Sequence, residues 1–235
     1  MTLKEEREYF EADISPYEQY KEMLKQEKTQ LLNEKAKGFA RYEPFSYYAS
    51  SGQRTRLVQN IFAVGHKLEQ SPLTLHLAVR LLDRVFSLMG DNSIALDSYD
   101  LITYGCMLLA AKFEELDMKI PMIQDLMAAS KFKLTYPQLK GVQSELITLL
   151  DFDLMALTPY HFLAQLFASG LVMSCDMKQS DKDISERTLV KVREYSQFFL
   201  DVSTEQYSIM NRYPPSVVAN ACYYYARRCC QLHDH

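Results

Sequence analysis

Hydrophobic residues follow helical spacing along most of the chain. One helix face is marked by residues spaced i, i+3, i+4, i+7 and i+11: Leu75, Ala78, Val79, Leu82 and Phe86. Residues 99–115 are apolar on nearly every side, and most of their charged residues gather in the last turn, at Lys112, Glu114 and Glu115. A helix that is hydrophobic all round belongs at the centre of a bundle. The pattern therefore predicts an all-α fold around this central helix.

Prolines, glycines and polar runs divide the chain into three parts. Residues 1–52 contain a highly charged segment, predicted as a long and mostly exposed helix, and then a loop rich in Tyr, Ser and Gly. Residues 53–155 have the spacing and the breaks of five helices. Residues 156–235 open with an N-cap and a proline, and a polar linker at about 174–183 precedes two further helices. The sequence thus predicts an N-terminal helical arm followed by two helical units.

The composition favours a compact protein with a sizeable core. Of the 235 residues, 48% are hydrophobic and 12% are aromatic, whereas a disordered chain would be poorer in apolar residues. The net charge is −4 without a dominant basic run, so we expect no nucleic-acid partner. No apolar run reaches transmembrane length and the first residues are too charged for a signal peptide, so we expect no membrane association. Five cysteines without a CxxC pair favour reduced thiols, and hence the nucleus, the cytoplasm or both.

Motifs for catalysis are missing from the sequence. We find no Gly-rich phosphate loop, GxSxG, HExxH or GxGxxG. Glu114 and Glu115 are adjacent on a helix, so their carboxylates point about 100° apart and do not converge on one substrate. His233 and His235 offer only two ligands in a terminal tail, which is a poor metal site. We therefore expect no enzyme, no metal site and no cofactor.

Three segments, in order along the chain, resemble the cyclin family. The central helix, YDLITYGCMLLAAKFEE, is similar to the cyclin-box helix whose hallmark is LLAxKFEE. The preceding LHLAVRLLDRVFS is similar to the cyclin helix that carries an aspartate–arginine pair, here Asp83 and Arg84. LMALTPYHFLAQLF at 154–167 is similar to the junction between two cyclin folds, and 198–222 resembles the second fold of cyclin J-like proteins. The resemblance implies a five-helix cyclin box over 53–155 and a shorter, incomplete second cyclin fold over 156–235.

The same resemblance implies a regulatory function. Cyclins bind a cyclin-dependent protein kinase through the first fold and press its C-helix inward, which completes the lysine–glutamate ion pair of the kinase. The cyclin itself contributes no catalytic group. It binds the active conformation better than the inactive one, and this difference shifts the kinase population. We expect this chain to be such a kinase regulator, acting in the cell cycle or a related process.

Residues of the cyclin box carry over by position. Arg54 and Asp83 match the arginine and aspartate that cyclins pair inside the box to brace two helices. Leu101 and Ala111 match core positions of the central helix. Lys112 matches the lysine that reaches backbone carbonyls beside the kinase C-helix, a task that suits an ammonium with three donors.

The residues around Lys112 are the expected kinase contacts, with one departure from the family. Phe113 and Glu115 follow the lysine directly. Cyclins generally carry a glutamate nine residues before the aromatic residue of the FDL-like end, and that position is Gln143 here. Either Glu145 substitutes after a local shift, or Gln143 serves with an uncharged and weaker hydrogen bond.

The substrate-docking patch of many cell-cycle cyclins is degenerate in this chain. That patch reads MRAIL followed by an aspartate and a tryptophan, and it binds RxL motifs. Here the aligned run starts at Gln53 and ends at Leu57, and Asn60 stands at the tryptophan position. The groove has become polar and basic, so we expect no conventional RxL docking.

Two other functions remain open. The first is a kinase-independent scaffold that reuses the cyclin fold, which the glutamine at position 143, the altered patch and the short second unit favour. The second is a DNA-binding protein with a cyclin-like fold, against which the acidic charge balance counts.

Overall fold

The structure is a computed structural model that describes residues 15–36, 52–89, 96–130, 135–170 and 186–232. Its α-helices are α1 (Pro16–Ala36), α2 (Gln53–Lys67), α3 (Pro72–Met89), α4 (Leu96–Glu114), α5 (Ile123–Ala129), α6 (Tyr136–Leu149), α7 (Pro159–Ala168), α8 (Glu186–Glu205), α9 (Tyr207–Arg212) and α10 (Pro215–Cys229). A short 3-10 helix, Asp117–Lys119, lies between α4 and α5. The described ranges contain no strand. The all-α prediction is confirmed.

Local sequence signals explain where several helices begin. Proline opens α1, α3, α7 and α10, where its missing N–H costs nothing because the first turn has no intrahelical acceptor. At the start of α6, the backbone N–H of Thr135 donates to Oε1 of Gln138 at 3.0 Å, as in a capping box. The short helix α9 was not predicted, because six residues are too few for a periodic signal. The predicted loop after α1, the turn at 90–93 and the linker at 174–183 lie outside the described residues.

Residue contacts group the chain into two compact units. One comprises the described parts of residues 32–158 and 204–212, and we call it the α4 unit. The other comprises the described parts of residues 1–31, 159–203 and 213–235, and we call it the α10 unit. The α4 unit thus holds the last five residues of α1, the five helices α2 to α6, the last two residues of α8 and all of α9.

Helix α4 is the centre of the α4 unit. It contacts α2, α3 and α6, and every residue from 102 to 111 is buried. Its single buried threonine is satisfied within the helix, because Oγ1 of Thr103 donates to the carbonyl of Tyr99 at 2.7 Å. Gly105 lets α4 approach α6 closely, since a Cβ at this position would lie 2.7 Å from Cδ1 of Leu146. Burial from several sides is what an all-round apolar helix requires.

The α10 unit has its own core. Helices α7 and α10 pack against each other, and the buried apolar side chains are Phe162, Leu163, Val192, Leu200, Val218, Ala219, Cys222, Tyr223 and Ala226. Helix α1 joins this unit through Tyr20, whose ring meets Phe162 edge to face at 5.8 Å. Most of α1 is exposed or half-buried, but Glu27 is buried and accepts hydrogen bonds from the backbone N–H and the hydroxyl of Ser216, at 2.8 and 2.7 Å. This carboxylate stabilises the start of α10.

Candidate functional site

Arg54 and Asp83, predicted to brace the box, form a buried ion pair in the α4 unit. Nε of Arg54 donates to Oδ1 of Asp83 at 2.8 Å, and Nη2 donates to Oδ2 at 2.9 Å. Arg54 is 1% exposed. The two parallel bonds fix α2 on α3, because guanidinium and carboxylate groups match in this fork geometry.

The third nitrogen of the Arg54 guanidinium group makes two contacts that were not predicted from the sequence. Nη1 donates to the backbone carbonyls of Thr204 and Glu205, at 2.9 and 3.0 Å. These carbonyls belong to the last turn of α8, where no intrahelical donor is available. One arginine therefore connects three helical segments of the α4 unit, and no sequence periodicity links positions 150 residues apart.

Lys112 emerges at the end of α4 and is exposed. Its Nζ donates to Oε1 of Gln143 on α6 at 2.8 Å. The structure thus brings together the lysine and the residue at the family's glutamate position, whereas Glu145 is exposed two residues farther along α6. Of the two sequence alternatives, the geometry pairs Lys112 with Gln143.

Glu115 and Phe113 have different environments. Oε1 of Glu115 accepts from the backbone N–H of Ser71 at 2.6 Å and from the hydroxyl of Thr74 at 2.7 Å, so its carboxylate lies at the start of α3. Its negative charge is favourable there because the first turn of a helix presents free N–H groups and a positive dipole end. The Phe113 side chain is 48% exposed and belongs to the open surface beside Lys112.

The segment after α6 exposes a second aromatic residue. The N–H of Phe152 donates to the carbonyl of Ile147 and the N–H of Asp151 to that of Thr148, which is the Schellman pattern of a helix C-terminus. Asp151 and Phe152 have φ of 54° and 55°, a region that costs non-glycine residues about 1–2 kcal/mol each. The Phe152 side chain is 71% exposed.

Arg84 holds this turn in place. Its Nη1 donates to the carbonyl of Asp153 at 2.8 Å and its Nη2 to Oδ2 of Asp153 at 3.1 Å. In the sequence, Phe152 is the aromatic residue of the FDL-like end and Arg84 the arginine of the aspartate–arginine pair, and their contact with this turn was not predicted. The sequence signal for the contact between Arg84 and this turn is the FDL-like end itself. There, an apolar residue and an aspartate directly follow a helix.

The predicted core and docking residues are placed as follows. Ala111 is buried, whereas Leu101 is only partly buried at the edge of the core. Leu57 of the docking run is fully buried in the core, while Gln53 and Asn60 are half-buried. Of the two arginines that made the run basic, Arg54 pairs with Asp83 as described above. Nη1 of the other, Arg56, lies 3.0 Å from Oδ1 of Asp100. The run is therefore polar, and its positive charges are compensated within the unit.

Burial dominates the ionisation behaviour of the α4 core. It raises the pKa of Tyr104 to about 12, a shift that the nearby Asp100 carboxylate increases and the Arg56 guanidinium opposes. Burial also raises the pKa of the Cys106 thiol, and Asp83 adds to this effect. Both groups are neutral at physiological pH. The described residues contain no cluster of His, Cys, Asp and Glu able to hold a metal ion, and no described helix is long and apolar enough to cross a membrane.

Models of two cyclin domains match this chain. The model of the cyclin N-terminal domain matches residues 18–155, and that of the cyclin C-terminal domain matches residues 157–235. Cyclin-J of Xenopus laevis is 29% identical over 194 residues, which cover 77% of this chain and 49% of that protein. Cyclin-B2-2 of Arabidopsis thaliana is 26% identical over 238 residues, which cover 98% of this chain and 50% of that protein. The chain spans about half the length of these relatives.

A solved structure has the same fold. The X-ray structure of a viral cyclin from herpesvirus saimiri aligns with a TM-score of 0.61 at 17% identity, covering 77% of this chain and 71% of the viral one. The class of protein is defined by the helical fold around a buried central helix and by the two domain matches. The chain belongs to the cyclin family.

Proposed function

We propose that this chain binds a cyclin-dependent protein kinase through the surface that contains Lys112, Phe113, Gln143 and Phe152, and that binding activates the kinase. The observation that carries the proposal is the end of α4, where an exposed ammonium held by Gln143 stands beside an exposed phenylalanine. Phe152 follows the end of α6, about 10 Å along the helix axis beyond Gln143, which is a separation that one interface of ordinary size can span.

The chemistry of these groups suits a helix and its flanking backbone as the partner. Lys112 has three N–H donors, and the Gln143 bond described above takes one of them. The other two are available for backbone carbonyls at a helix end, where the last carbonyls lack intrahelical donors. Exposed aromatic rings supply the apolar area that anchors such contacts.

Activation follows from preferential binding. A kinase needs its C-helix placed so that a glutamate there reaches the lysine that holds the ATP phosphates. A rigid surface that fits only this arrangement shifts the kinase towards it by the difference between its two affinities. In this proposal the chain supplies no catalytic residue, and it acts in the nucleus or the cytoplasm.

Affinity purification tests the proposal. Wild type and Lys112→Glu are compared as baits, with Lys191→Glu, a reversal of an exposed lysine in the α10 unit, as the matched control. Lys112→Glu is expected to lose the kinase because a reversed charge at an interface centre costs about 2–5 kcal/mol. Lys191→Glu is expected to retain it. Equal recovery of kinase by all three baits would contradict the assigned surface.

A kinase-independent scaffold is the second candidate. It is favoured by Gln143, because an uncharged partner for Lys112 makes the pair weaker than the lysine–glutamate pair of the family. The same purification discriminates the two functions. A scaffold would recover the same non-kinase proteins with wild type and with Lys112→Glu.

A further inference from the structure

The side-chain amide of Gln143 is only half satisfied. Gln143 is 8% exposed, and its Oε1 accepts the Lys112 hydrogen bond. Its Nε2 is buried and has no hydrogen-bond partner among the described residues. A buried donor without an acceptor weakens a fold, and such a group in a native structure needs an explanation.

The orientation of this amide is fixed by its neighbour. The Lys112 ammonium carries only donors, so it must face the carbonyl oxygen of the amide rather than the nitrogen. A flipped amide would set donor against donor. The unsatisfied group is therefore an N–H donor, at a position where the glutamate of the family offers only acceptors.

We propose that an oxygen acceptor of the bound kinase, either a main-chain carbonyl or a carboxylate, takes the hydrogen bond that Gln143 Nε2 lacks. This inference rests on the proposed function and adds a specificity-determining residue to it. Since Nε2 is covered in the free chain, the proposal requires that the Gln143 side chain moves outward on binding together with Lys112, with the hydrogen bond between the ammonium and Oε1 kept. Lys112 and Gln143 then both act as donors, and the pair selects partners that present acceptors to both.

The substitution Gln143→Glu tests this directly. The carboxylate removes the unsatisfied donor and forms a charged pair with Lys112, so the thermal midpoint of the free chain is expected to rise. The kinase acceptor would meet a carboxylate instead of a donor. The Kd is therefore expected to weaken at least about tenfold, equivalent to about 1.4 kcal/mol. The probe is the kinase recovered with the wild-type bait, purified and titrated by calorimetry, and Gln124→Glu on the exposed side of α5 is the matched control.

The outcomes separate the two proposals. Equal or tighter binding by Gln143→Glu, with Lys112→Glu still defective, overturns this inference and leaves the proposed function standing. Failure of wild type to recover any kinase overturns both. If Gln143→Glu does not fold, Gln143→Met provides the same test, because it has no donor. An unchanged Kd for Gln143→Met would overturn the inference.

Discussion

Arg54 and Asp83 share two parallel hydrogen bonds of 2.8 and 2.9 Å with both side chains buried. The guanidinium also holds the last carbonyls of α8, so its charge is surrounded by four oxygen acceptors. Removing one partner of a buried ion pair strongly destabilises the fold, because the other charge stays buried without compensation. This pair is therefore a structural requirement of the α4 unit that carries the candidate surface.

Removal of Arg54 is expected to destabilise the protein severely. Arg54→Ala leaves Asp83 as an uncompensated buried charge and should lower the free energy of unfolding by about 3–5 kcal/mol. Denaturant titration measures this, with Lys25→Ala, from the exposed Lys25–Glu22 pair, as the control that should not change measurably. The double variant Arg54→Met/Asp83→Leu should lose less than Arg54→Ala. If the double variant lost as much free energy of unfolding as Arg54→Met and Asp83→Leu lose together as single variants, the two side chains would not be coupled.

Phe152 is expected to matter for binding and not for stability. Because its side chain is 71% exposed, Phe152→Ala should leave the thermal midpoint nearly unchanged. At an interface, loss of an aromatic anchor costs about 2 kcal/mol or more, so the Kd for the kinase should weaken roughly thirtyfold. Phe198→Ala, an exposed phenylalanine of the α10 unit, is the control. Similar Kd values for both variants would remove Phe152 from the surface.

Glu115 is expected to act chiefly as a cap of α3. Glu115→Gln removes the charge that accepts from Ser71 and Thr74, and should cost about 1–2 kcal/mol of unfolding free energy. Glu145→Gln, at an exposed position of α6, should cost much less. Chemical unfolding of both variants measures the difference. A larger loss for Glu145→Gln would contradict the capping role.

Alkaline pH is expected to weaken the fold through Tyr104. Its pKa is raised to about 12 in the folded state, so the unfolded chain loses this proton first, near the ordinary value of 10. The contribution of Tyr104 to the free energy of unfolding is thus fully retained below pH 10. It falls by about 1.4 kcal/mol for each pH unit from there to pH 12. Tyr104→Phe should show a shallower decline over this window. An identical slope in both proteins would mean that Tyr104 ionises freely in the fold.

No RxL peptide is expected to bind at the docking run. Leu57 is fully buried, and the neighbouring Gln53 and Asn60 offer amides in place of an apolar groove. A fluorescence titration with an RxL peptide should show no saturation at micromolar concentrations. A micromolar Kd would correspond to a binding free energy of about −8 kcal/mol. Saturable micromolar binding would overturn this prediction.

The sequence predicted the helices well because hydrophobic period and proline placement are local signals. The burial of residues 102–111 follows from the all-round apolar pattern, and the start of α7 at Pro159 follows from the predicted N-cap and proline. The contacts of Arg54 with the end of α8 and of Glu115 with the start of α3 were not predicted. Each joins a side chain to distant backbone groups, and no pattern in a single sequence encodes that distance.

The candidate surface likewise has residues that the sequence predicted and features that it did not. Lys112 and Gln143 were found because the resemblance supplied their positions, and the structure then showed that they touch. The exposed ring of Phe152 was missed because its exposure depends on two left-handed residues and on the Arg84 anchor. The unsatisfied Nε2 of Gln143 is a property of three-dimensional packing alone.

The most direct test of the account is the rate of phosphate transfer by the purified kinase partner as this chain is titrated into it. With wild type and with Lys191→Glu, the rate should rise and saturate, because the kinase population shifts to its active conformation. With Lys112→Glu the rate should stay at the level of the kinase alone over the same concentrations. Activation would be contradicted if wild type bound the kinase without changing the rate. Activation through this surface would be contradicted if the rate rose equally with Lys112→Glu.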